Sequence, residues 1–336
     1  MSHNRIGGSP MTTTTALVVT RNGGPEVLEV QQREVPEPGA GEVRVRVGAC
    51  GVNFIDVYQR EGVYPIPTPF VVGSEAAGVV ESVGEGVTGV AVGDRVAWAM
   101  HLGSFAGLAV LPAAALVPVP DAVDTETAAA AMLQGMTAHY LVTSTYAVQP
   151  GDRVLVHAAA GGVGQLLVQM AKERGATVIG TAGTDAKADK ARALGADHVI
   201  NYRQVTDVAA AVRELTVGVG VDVVYDGVGK DTFEGSLASL RPRGMLALFG
   251  AASGQVPPFD LQRLNPAGSL FVTRPTLGHY VSDREELLWR GGEVLDAIAQ
   301  GRLHVEVSGR YPLADAGMAY RDLEGRRTTG KLLLIP

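Results

Sequence analysis

The spacing of apolar and polar positions divides the chain into two parts with different patterns. Up to about Pro120, short runs rich in β-branched residues are separated by turns that contain Pro and Gly. From Pro150 onward, short apolar runs alternate with helical stretches of about ten residues. Frequent short strands are typical of a small barrel or a folded sheet, whereas alternating strands and helices predict βαβ units and a parallel sheet.

In the first part, five runs are predicted strands and one Ala-rich stretch is a predicted helix. Turn sequences such as PEPG at 36–39 separate the runs, because Pro and Gly interrupt regular structure. The predicted strands are residues 27–30, 42–47, 78–83, 95–99 and 116–119, and the predicted helix is residues 125–132.

The second part predicts a doubly wound sheet of six parallel strands, so the predicted fold class is α/β. Gly175 and Gly195 end two of its helices, as glycine often does at a helix C-terminus. The predicted strands are residues 154–157, 177–181, 198–202, 221–226, 245–249 and 270–273, and the predicted helices are 163–174, 185–194 and 205–216.

This sheet is complete by about Arg274, which leaves the tail to be placed elsewhere. From Glu285 the tail indicates a helix and two short strands ending at 332–335, and we predict that it returns to the first domain. The predicted divisions are a catalytic domain of residues 11–133, a cofactor domain of 134–274 and a return segment of 275–336. Residues 1–10 (MSHNRIGGSP), which precede a second methionine, are interpreted as an added leader.

Composition narrows the classes of function. Hydrophobic residues make up 46% and charged residues 19%, so a large core is available and a disordered chain is excluded. The net charge of −7 comes without a basic block, which argues against nucleic acid and membrane as partners. The single cysteine, Cys50, excludes a disulfide framework and any zinc site with two thiolates. With no signal peptide or membrane-length apolar run visible, we expect a cytoplasmic protein.

A glycine-rich loop lies between the first strand and the first helix of the predicted Rossmann sheet. Its sequence, AAAGGVG at 158–164, has Ala158 where a dinucleotide fingerprint usually begins with glycine. Gly161, Gly162 and Gly164 permit a tight turn and close approach of a pyrophosphate to a helix N-terminus. A plain βα turn is the alternative, but the strand, the helix and the following βαβ units favour a dinucleotide site.

The residues at the end of the second predicted strand indicate whether the site prefers NADPH or NADH. NAD sites usually carry an acidic residue there to bind the ribose hydroxyls. Here the stretch GTAGT at 180–184 has none, and Asp185 comes later, beside Lys187. A small neutral turn with a nearby lysine suits the 2′-phosphate, so NADPH is the predicted cofactor, although Lys187 could also be an ordinary solvated helix residue.

Seven segments carry a family resemblance, which extends in order from about Leu17 to Pro336. They are GVNFID at 51–56, GSEAAG at 73–78, VGDRV at 92–96, HAAAGGVG at 157–164, NYR at 201–203, VVYD at 223–226 and VTRP at 272–275. The chain resembles the medium-chain dehydrogenases/reductases, and most closely their zinc-independent NADPH:quinone oxidoreductases related to zeta-crystallin. The resemblance implies a GroES-like, β-rich catalytic domain and a doubly wound Rossmann domain that binds NADPH.

The resemblance also implies that no metal ion is bound. The positions of the catalytic zinc ligands in related alcohol dehydrogenases correspond here to Asn53, Ser74 and Gln134. Cys50 has no partner thiol and is interpreted as a small buried hydrophobic residue. Without a Lewis acid, the expected substrate is one that accepts hydride readily, such as a quinone or a conjugated enone.

The resemblance implies a set of site residues. Asn53 and Tyr58 are expected to contact the nicotinamide end and Tyr64 to face the substrate, although Asn53 could instead cap a turn and Tyr64 could be a packing residue. These three are the predicted catalytic residues. The predicted cofactor-binding residues are Asn53, Tyr58, Gln134, Thr137, Ala160, Gly161, Gly162, Val163, Gly164, Thr181, Gly183, Thr184, Lys187, Tyr202, Phe249, Gly250, Ala251, Ala252, Phe271, Val272 and Thr273.

The predicted function is NADPH-dependent reduction of quinones by hydride transfer, with a small-molecule quinone or enone as partner. An alkenal or enone double-bond reductase and a non-catalytic, crystallin-like NADPH-binding protein are the alternatives. We also predict a homodimer, because the apolar edge strand at 269–274 of the Rossmann domain has to be covered or paired.

Overall fold

The computed structural model describes residues 12–325 and 327–336, which form three sheets with helices packed around them. The leader predicted at residues 1–10 lies outside the described residues. The elements of the first part are β1 (Thr12–Val19), β2 (Leu28–Val35), β3 (Glu42–Gly51), α1 (Phe54–Arg60), β4 (Phe70–Val71), β5 (Glu75–Val83), β6 (Arg95–Ala99), β7 (Leu108–Pro112), β8 (Val117–Pro118) and α2 (Thr125–Tyr140).

The middle part alternates strands and helices, and the tail adds further helices and two strands. The middle elements are β9 (Arg153–Val156), α3 (Gly162–Glu173), β10 (Thr177–Ala182), α4 (Asp185–Ala193), β11 (His198–Asn201), α5 (Val208–Leu215), β12 (Val221–Asp226), α6 (Phe233–Ser239), β13 (Leu240–Leu248) and β14 (Phe271–Thr273). The tail elements are α7 (Leu277–Tyr280), α8 (Arg284–Ala299), β15 (Val307–Pro312), α9 (Ala316–Glu324) and β16 (Lys331–Ile335).

The middle strands form the predicted doubly wound sheet. Their order is β11-β10-β9-β12-β13-β14, and every neighbouring pair is parallel. Val154, Leu155 and Val224 on the two central strands are fully buried, because helices cover both faces of the sheet. The α/β fold class is therefore confirmed. The strand order reverses between β9 and β12, which opens a crevice at the carboxyl ends of these strands.

The β-rich part contains a sheet of seven strands and a smaller sheet of three. The larger one has the order β15-β16-β3-β5-β6-β8, with β7 paired to β3, and the smaller one has the order β2-β1-β4. The tail strand β16 lies antiparallel to β3, with Leu334 opposite Cys50. This pairing fits the predicted return of the tail to the first domain. The domain limits at 133 and 274 stay predictions.

Helix α2 lies between the larger sheet of the β-rich part and two helices, since it packs on β3, β5 and β6 and also on α3 and α8. It runs to Tyr140, eight residues beyond the predicted 125–132. Gly135 lies within it, and a Cβ there would lie 2.6 Å from Val294 Cγ1 on α8. Gly135 is therefore the point where α8 approaches α2 closely.

Several elements were missed because distant partners determine them. β1 begins with four threonines and forms an eight-residue antiparallel pairing with β2. The helices α1, α6 and α9 and the strands β4 and β7 were also not predicted. Predicted helix 205–216 begins later, at Val208, where the Asp207 side chain accepts the N–H of Ala210 and caps it.

Within the described ranges, no helix is long and apolar enough to cross a membrane. The cytoplasmic location expected from the sequence stays a prediction.

Candidate cofactor and acceptor cleft

A cleft of about 630 Å³ opens beside the carboxyl ends of β9, β10 and β12. Its walls come from the Rossmann sheet, from the β-rich part and from the tail, so that the tail closes one side. The crevice at the strand-order reversal is where open α/β sheets bind ligands. A long cleft of this kind has room for a dinucleotide and a small acceptor.

The glycine-rich loop forms the centre of the cleft. Ala158 has a φ of 50°, in the left-handed region, where the first glycine of a fingerprint would be favoured. Helix α3 begins directly after Gly161 and points its free N–H groups toward the cleft. A Cβ at Gly164 would overlap the carbonyl oxygen of Ala158 and lie 3.0 Å from Ala159 Cα. The loop therefore fits a bound pyrophosphate and needs glycine at 164.

A buried chain of hydrogen bonds supports this loop from below. Ala158 N–H donates to Thr181 Oγ1 at 3.2 Å, and Thr181 Oγ1 lies 3.1 Å from His157 Nδ1. His157 Nε2 lies 3.0 Å from Ser236 Oγ, which donates to Asp226 Oδ2 at 2.7 Å. Because Ser236 donates to the carboxylate, it accepts from Nε2–H, and Nδ1 accepts from Thr181. Burial lowers the pKa of His157, which agrees with this neutral tautomer.

One end of the cleft matches the predicted adenosine site. Lys187, Gly183 and Tyr202 line it together. A Cβ at Gly183 would overlap the Tyr202 hydroxyl, so glycine allows the tyrosine to lie over the end of β10. The carboxylate of Asp185 accepts a hydrogen bond from Asn201 Nδ2 at 2.8 Å. This arrangement brings a cation and a hydroxyl to the position where a 2′-phosphate would be bound.

At the other end, the Asn53 amide is held by four neighbours. Its Nδ2 donates to Gly51 O at 2.9 Å and to Glu75 Oε2 at 2.7 Å. Its Oδ1 accepts from Lys331 Nζ at 2.6 Å and from Gln134 Nε2 at 3.4 Å. Both amide hydrogens are thus used within the protein, which favours an anchoring role. Direct contact of Asn53 with the cofactor stays a prediction.

Glu75 and Lys331 are functional candidates that the sequence analysis missed. Both are fully buried, and Lys331 Nζ lies 2.5 Å from Glu75 Oε2. Burial lowers the pKa of Lys331, although Glu75 opposes this shift. A signal existed in the sequence, because each charge stands in an otherwise small or apolar strand, EAAGVV and KLLLI. A buried charge of this kind is rare unless it is paired.

Asp56 holds the turn that carries Asn53. Its Oδ2 accepts the backbone N–H of Asn53 at 2.8 Å, and together they form a capping box at the start of α1. Burial raises the pKa of Asp56 to about 7, while the Asn53 N–H opposes the shift. Asp56 therefore orients the turn that presents Asn53.

Aromatic and apolar side chains surround the remaining space, next to the Asn53 end. The rings of Tyr58 and Tyr64 meet edge to face, with centroids 5.5 Å apart. The Tyr58 hydroxyl accepts the N–H of Ala251 at 3.2 Å, and burial raises its pKa. Met100 and Leu277 also line this end. Apolar walls with a few hydroxyls suit a flat conjugated acceptor.

The side chains at the positions that correspond to the zinc ligands of related alcohol dehydrogenases include Asn53, whose amide bonds other groups of the protein. Among the described residues, no group of three or more His, Cys, Asp and Glu side chains could hold a metal. The Asn53 oxygen already accepts from the Lys331 ammonium, whose charge would repel a cation. Cys50 is fully buried, as predicted, and its thiol donates to Ser104 O at 3.2 Å.

Most predicted site residues line the cleft, and five do not. Thr184 caps α4, Ala251 donates to Tyr58, and Phe271–Thr273 form edge strand β14. The binding roles of all of them stay predictions. The predicted residues that line the cleft are Asn53, Tyr58, Tyr64, Gln134, Thr137, Ala160, Gly161, Gly162, Val163, Gly164, Thr181, Gly183, Lys187, Tyr202, Phe249, Gly250 and Ala252. Lining residues that were not predicted include Thr206, Asp231, Leu323, Thr328 and Gly330.

Comparison with known proteins gives matches over almost the whole chain. Residues 39–121 match the alcohol dehydrogenase GroES-like domain and residues 162–288 match the zinc-binding dehydrogenase domain. The chain is 49% identical to a quinone oxidoreductase of Pseudomonas aeruginosa, over 94% of this chain and 97% of that one. It is 47% identical to a 2-haloacrylate reductase of a Burkholderia species, over 96% and 98%. The structure of an Escherichia coli quinone oxidoreductase complexed with NADPH superposes with a TM-score of 0.94, at 44% identity, over 96% and 100%.

Proposed function

Because the chain belongs to the quinone oxidoreductases of the medium-chain dehydrogenase/reductase family, we propose that it reduces quinones with NADPH and needs no metal ion. The predicted family and the predicted NADPH-dependent quinone reduction are both confirmed by these relatives. Independence from zinc is the finer part of the proposal. It is supported by the hydrogen bond from the Lys331 ammonium to the Asn53 oxygen, because Asn53 stands at a position that corresponds to a zinc ligand in related alcohol dehydrogenases. The positive charge of the ammonium would repel a metal ion there.

The continuity of the cleft is the observation that supports this function best. Lys187 and Tyr202 line one end, the glycine loop lines the centre, and Tyr58 and Tyr64 line the other end. An extended NADPH molecule along this cleft would place its phosphates at the loop and its nicotinamide toward the aromatic end. The acceptor would then lie against the tyrosines.

The chain itself holds the cofactor and the acceptor in place, excludes water from the acceptor and supplies a proton. When bound, NADPH supplies the hydride, and the cofactor carries that chemistry. The apolar wall formed by Met100 and Leu277 excludes water from the acceptor. Tyr64 lines the cleft and is 41% exposed, so its hydroxyl can donate a hydrogen bond to an acceptor oxygen and regain its proton from solvent.

Replacing the hydroxyl of Tyr64 distinguishes quinone reduction from enone reduction. A reduced quinone is stabilised by its aromatic ring, whereas a reduced alkenal depends on prompt protonation. For Tyr64→Phe we therefore expect turnover with an alkenal to fall about 100-fold, and turnover with 1,4-benzoquinone to fall less than about 10-fold. Steady-state oxidation of NADPH with both acceptors measures this difference.

Tyr311→Phe is the matched control, since the Tyr311 hydroxyl bonds Asp322 outside the cleft. It is expected to leave both activities unchanged. Wild-type turnover that is faster with the alkenal or with 2-chloroacrylate than with any quinone would favour the double-bond reductase. Binding of NADPH without turnover of any acceptor would favour the crystallin-like alternative.

A homodimer joined through β14 remains part of the proposal. β14 is an edge strand of the parallel sheet, and its Phe271 side chain is 57% exposed. Two such edges around a two-fold axis would continue the sheet and bury apolar surface. Light scattering is expected to give twice the chain mass of 34.9 kDa, and Phe271→Lys is expected to shift it toward the single chain. A wild-type mass near 34.9 kDa would contradict the dimer.

A further inference from the structure

We propose that Lys331 and Glu75 are positioning residues for the nicotinamide end of the cofactor, and that they act by fixing the orientation of two amide side chains, Asn53 and Gln134. The inference deepens the proposed function and rests only on the part of it that places NADPH in this cleft. Neither charge lines the cleft itself.

The pair lies where four elements meet. Glu75 begins β5, Lys331 begins β16, and Gly51 ends β3. The second carboxylate oxygen, Glu75 Oε1, accepts the backbone N–H of Leu133 in α2 at 2.6 Å. A Cβ at Gly51 would lie 2.7 Å from Lys331 Cε and would overlap Glu75 Oε2. The two charged groups are therefore packed against the backbone and have little freedom to move.

The chemistry of the two ions sets the direction of the Asn53 amide. An ammonium group can only donate hydrogen bonds, and an ionised carboxylate can only accept them. Lys331 Nζ therefore requires Oδ1 of Asn53 on its side, and Glu75 Oε2 requires Nδ2. The reversed amide would place N–H groups against the ammonium and an oxygen against the carboxylate.

The orientation of Asn53 then determines that of Gln134. Because Asn53 presents its oxygen, the group that Gln134 turns toward it is Nε2, at 3.4 Å. The oxygen Oε1 of Gln134 is left buried without a hydrogen-bond partner, and the residue lines the cleft beside Gly162. An unpaired buried acceptor at a ligand site is costly unless a ligand donates to it. We assign this oxygen to an N–H or O–H donor of the nicotinamide nucleoside.

Stability gives no sufficient reason for the pair. Replacing a fully buried ion pair by apolar residues of similar volume is often neutral or stabilising, because both ions lose their hydration. Removing only one partner is harmful, since the other is left buried without compensation. A pair of this kind next to a cleft is better explained by the fixed geometry that it imposes on its neighbours.

The test compares two ligands in three variants. The first variant, Lys331→Met with Glu75→Gln, removes both charges together, so that no lone charge is buried. The second, Gln134→Met, removes the acceptor oxygen directly, and the third combines all three substitutions. The ligands are NADPH, followed by its fluorescence, and 2′,5′-ADP, followed by calorimetry, because the latter occupies only the adenosine end. Lys172→Met with Asp197→Asn, an exposed ion pair outside the cleft, is the matched control.

The pair variant and Gln134→Met are each expected to weaken NADPH about 10-fold, as for the loss of a buried hydrogen bond, and to leave 2′,5′-ADP within about twofold. The triple variant is expected to be no weaker than Gln134→Met alone, because the pair acts through Gln134. The control pair should change neither ligand.

Equal weakening of both ligands, no weakening of NADPH, or additive losses in the triple variant would overturn the assignment. Gln134→Met leaves the ion pair intact, so its result stands even if the pair variant does not fold. All readouts are binding constants. A failure to turn over quinones would therefore refute the proposed function without affecting this test.

Discussion

Gly164→Ala is expected to weaken NADPH binding severely. The added Cβ would overlap the backbone oxygen of Ala158 and lie 2.9 Å from its carbonyl carbon, and backbone atoms in a strand-loop-helix turn cannot move aside cheaply. The loop would have to open, which would displace the helix N-terminus from the phosphates. We expect a loss on the order of 100-fold in affinity, which corresponds to about 2.7 kcal/mol. Fluorescence titration with NADPH measures it, and thermal melting reports the fold.

Two glycines serve as controls for Gly164. Gly161 belongs to the same loop, but its added Cβ would lie 3.1 Å from the oxygen of Ala158, so Gly161→Ala is expected to cost less affinity. Gly235 lies in α6 with open space around it, and Gly235→Ala is expected to leave binding unchanged and to stabilise the helix slightly. If Gly164→Ala bound NADPH as well as Gly161→Ala does, the loop would not have the packing described above.

Lys187→Ala is expected to reduce the preference for NADPH over NADH. Lys187 lines the adenosine end of the cleft beside Tyr202, where the ammonium would bind the 2′-phosphate. Loss of such a charge-assisted hydrogen bond costs about 1–3 kcal/mol, so kcat/KM for NADPH should fall about 5- to 150-fold. The value for NADH should change little, because NADH has no phosphate at that position.

Lys172→Ala is the control for Lys187→Ala, since Lys172 lies outside the cleft and pairs with Asp197 on the surface. It should leave the kcat/KM values for both cofactors unchanged. Equal losses for NADPH and NADH in Lys187→Ala would contradict a role in phosphate recognition. A wild-type enzyme that uses NADH as well as NADPH would contradict the cofactor assignment at this end.

The parts of the fold with local signals were predictable from the sequence. Strand β12 has its predicted limits, 221–226, because four of its six residues are valine or tyrosine and Gly220 and Gly227 flank it. The glycine loop was found because three glycines follow an apolar strand. By contrast, β1 is a strand because it pairs with β2. The four threonines at its start carry no local pattern that indicates this partner.

The candidate site was only partly predictable for the same reason. Asn53 and Gln134 were predicted from the family resemblance, but the ion pair of Glu75 and Lys331 that orients them was not predicted. Glu75 and Lys331 are 256 residues apart, and only the antiparallel pairing of β16 with β3 brings Lys331 beside the cleft. Phe271–Thr273, which were predicted to bind the cofactor, form the edge strand of the sheet, and their binding role stays a prediction. Contacts over such separations depend on the assembled sheets.

Oxidation of NADPH by 1,4-benzoquinone, measured before and after dialysis against a chelator with metal analysis of the same samples, tests the central claim most directly. With a lysine ammonium bonded to Asn53 where the metal-binding relatives place a ligand, we predict unchanged turnover and far less than one zinc per chain. Absence of turnover with NADPH and quinone, or activity lost on chelation and restored by zinc, would contradict the account.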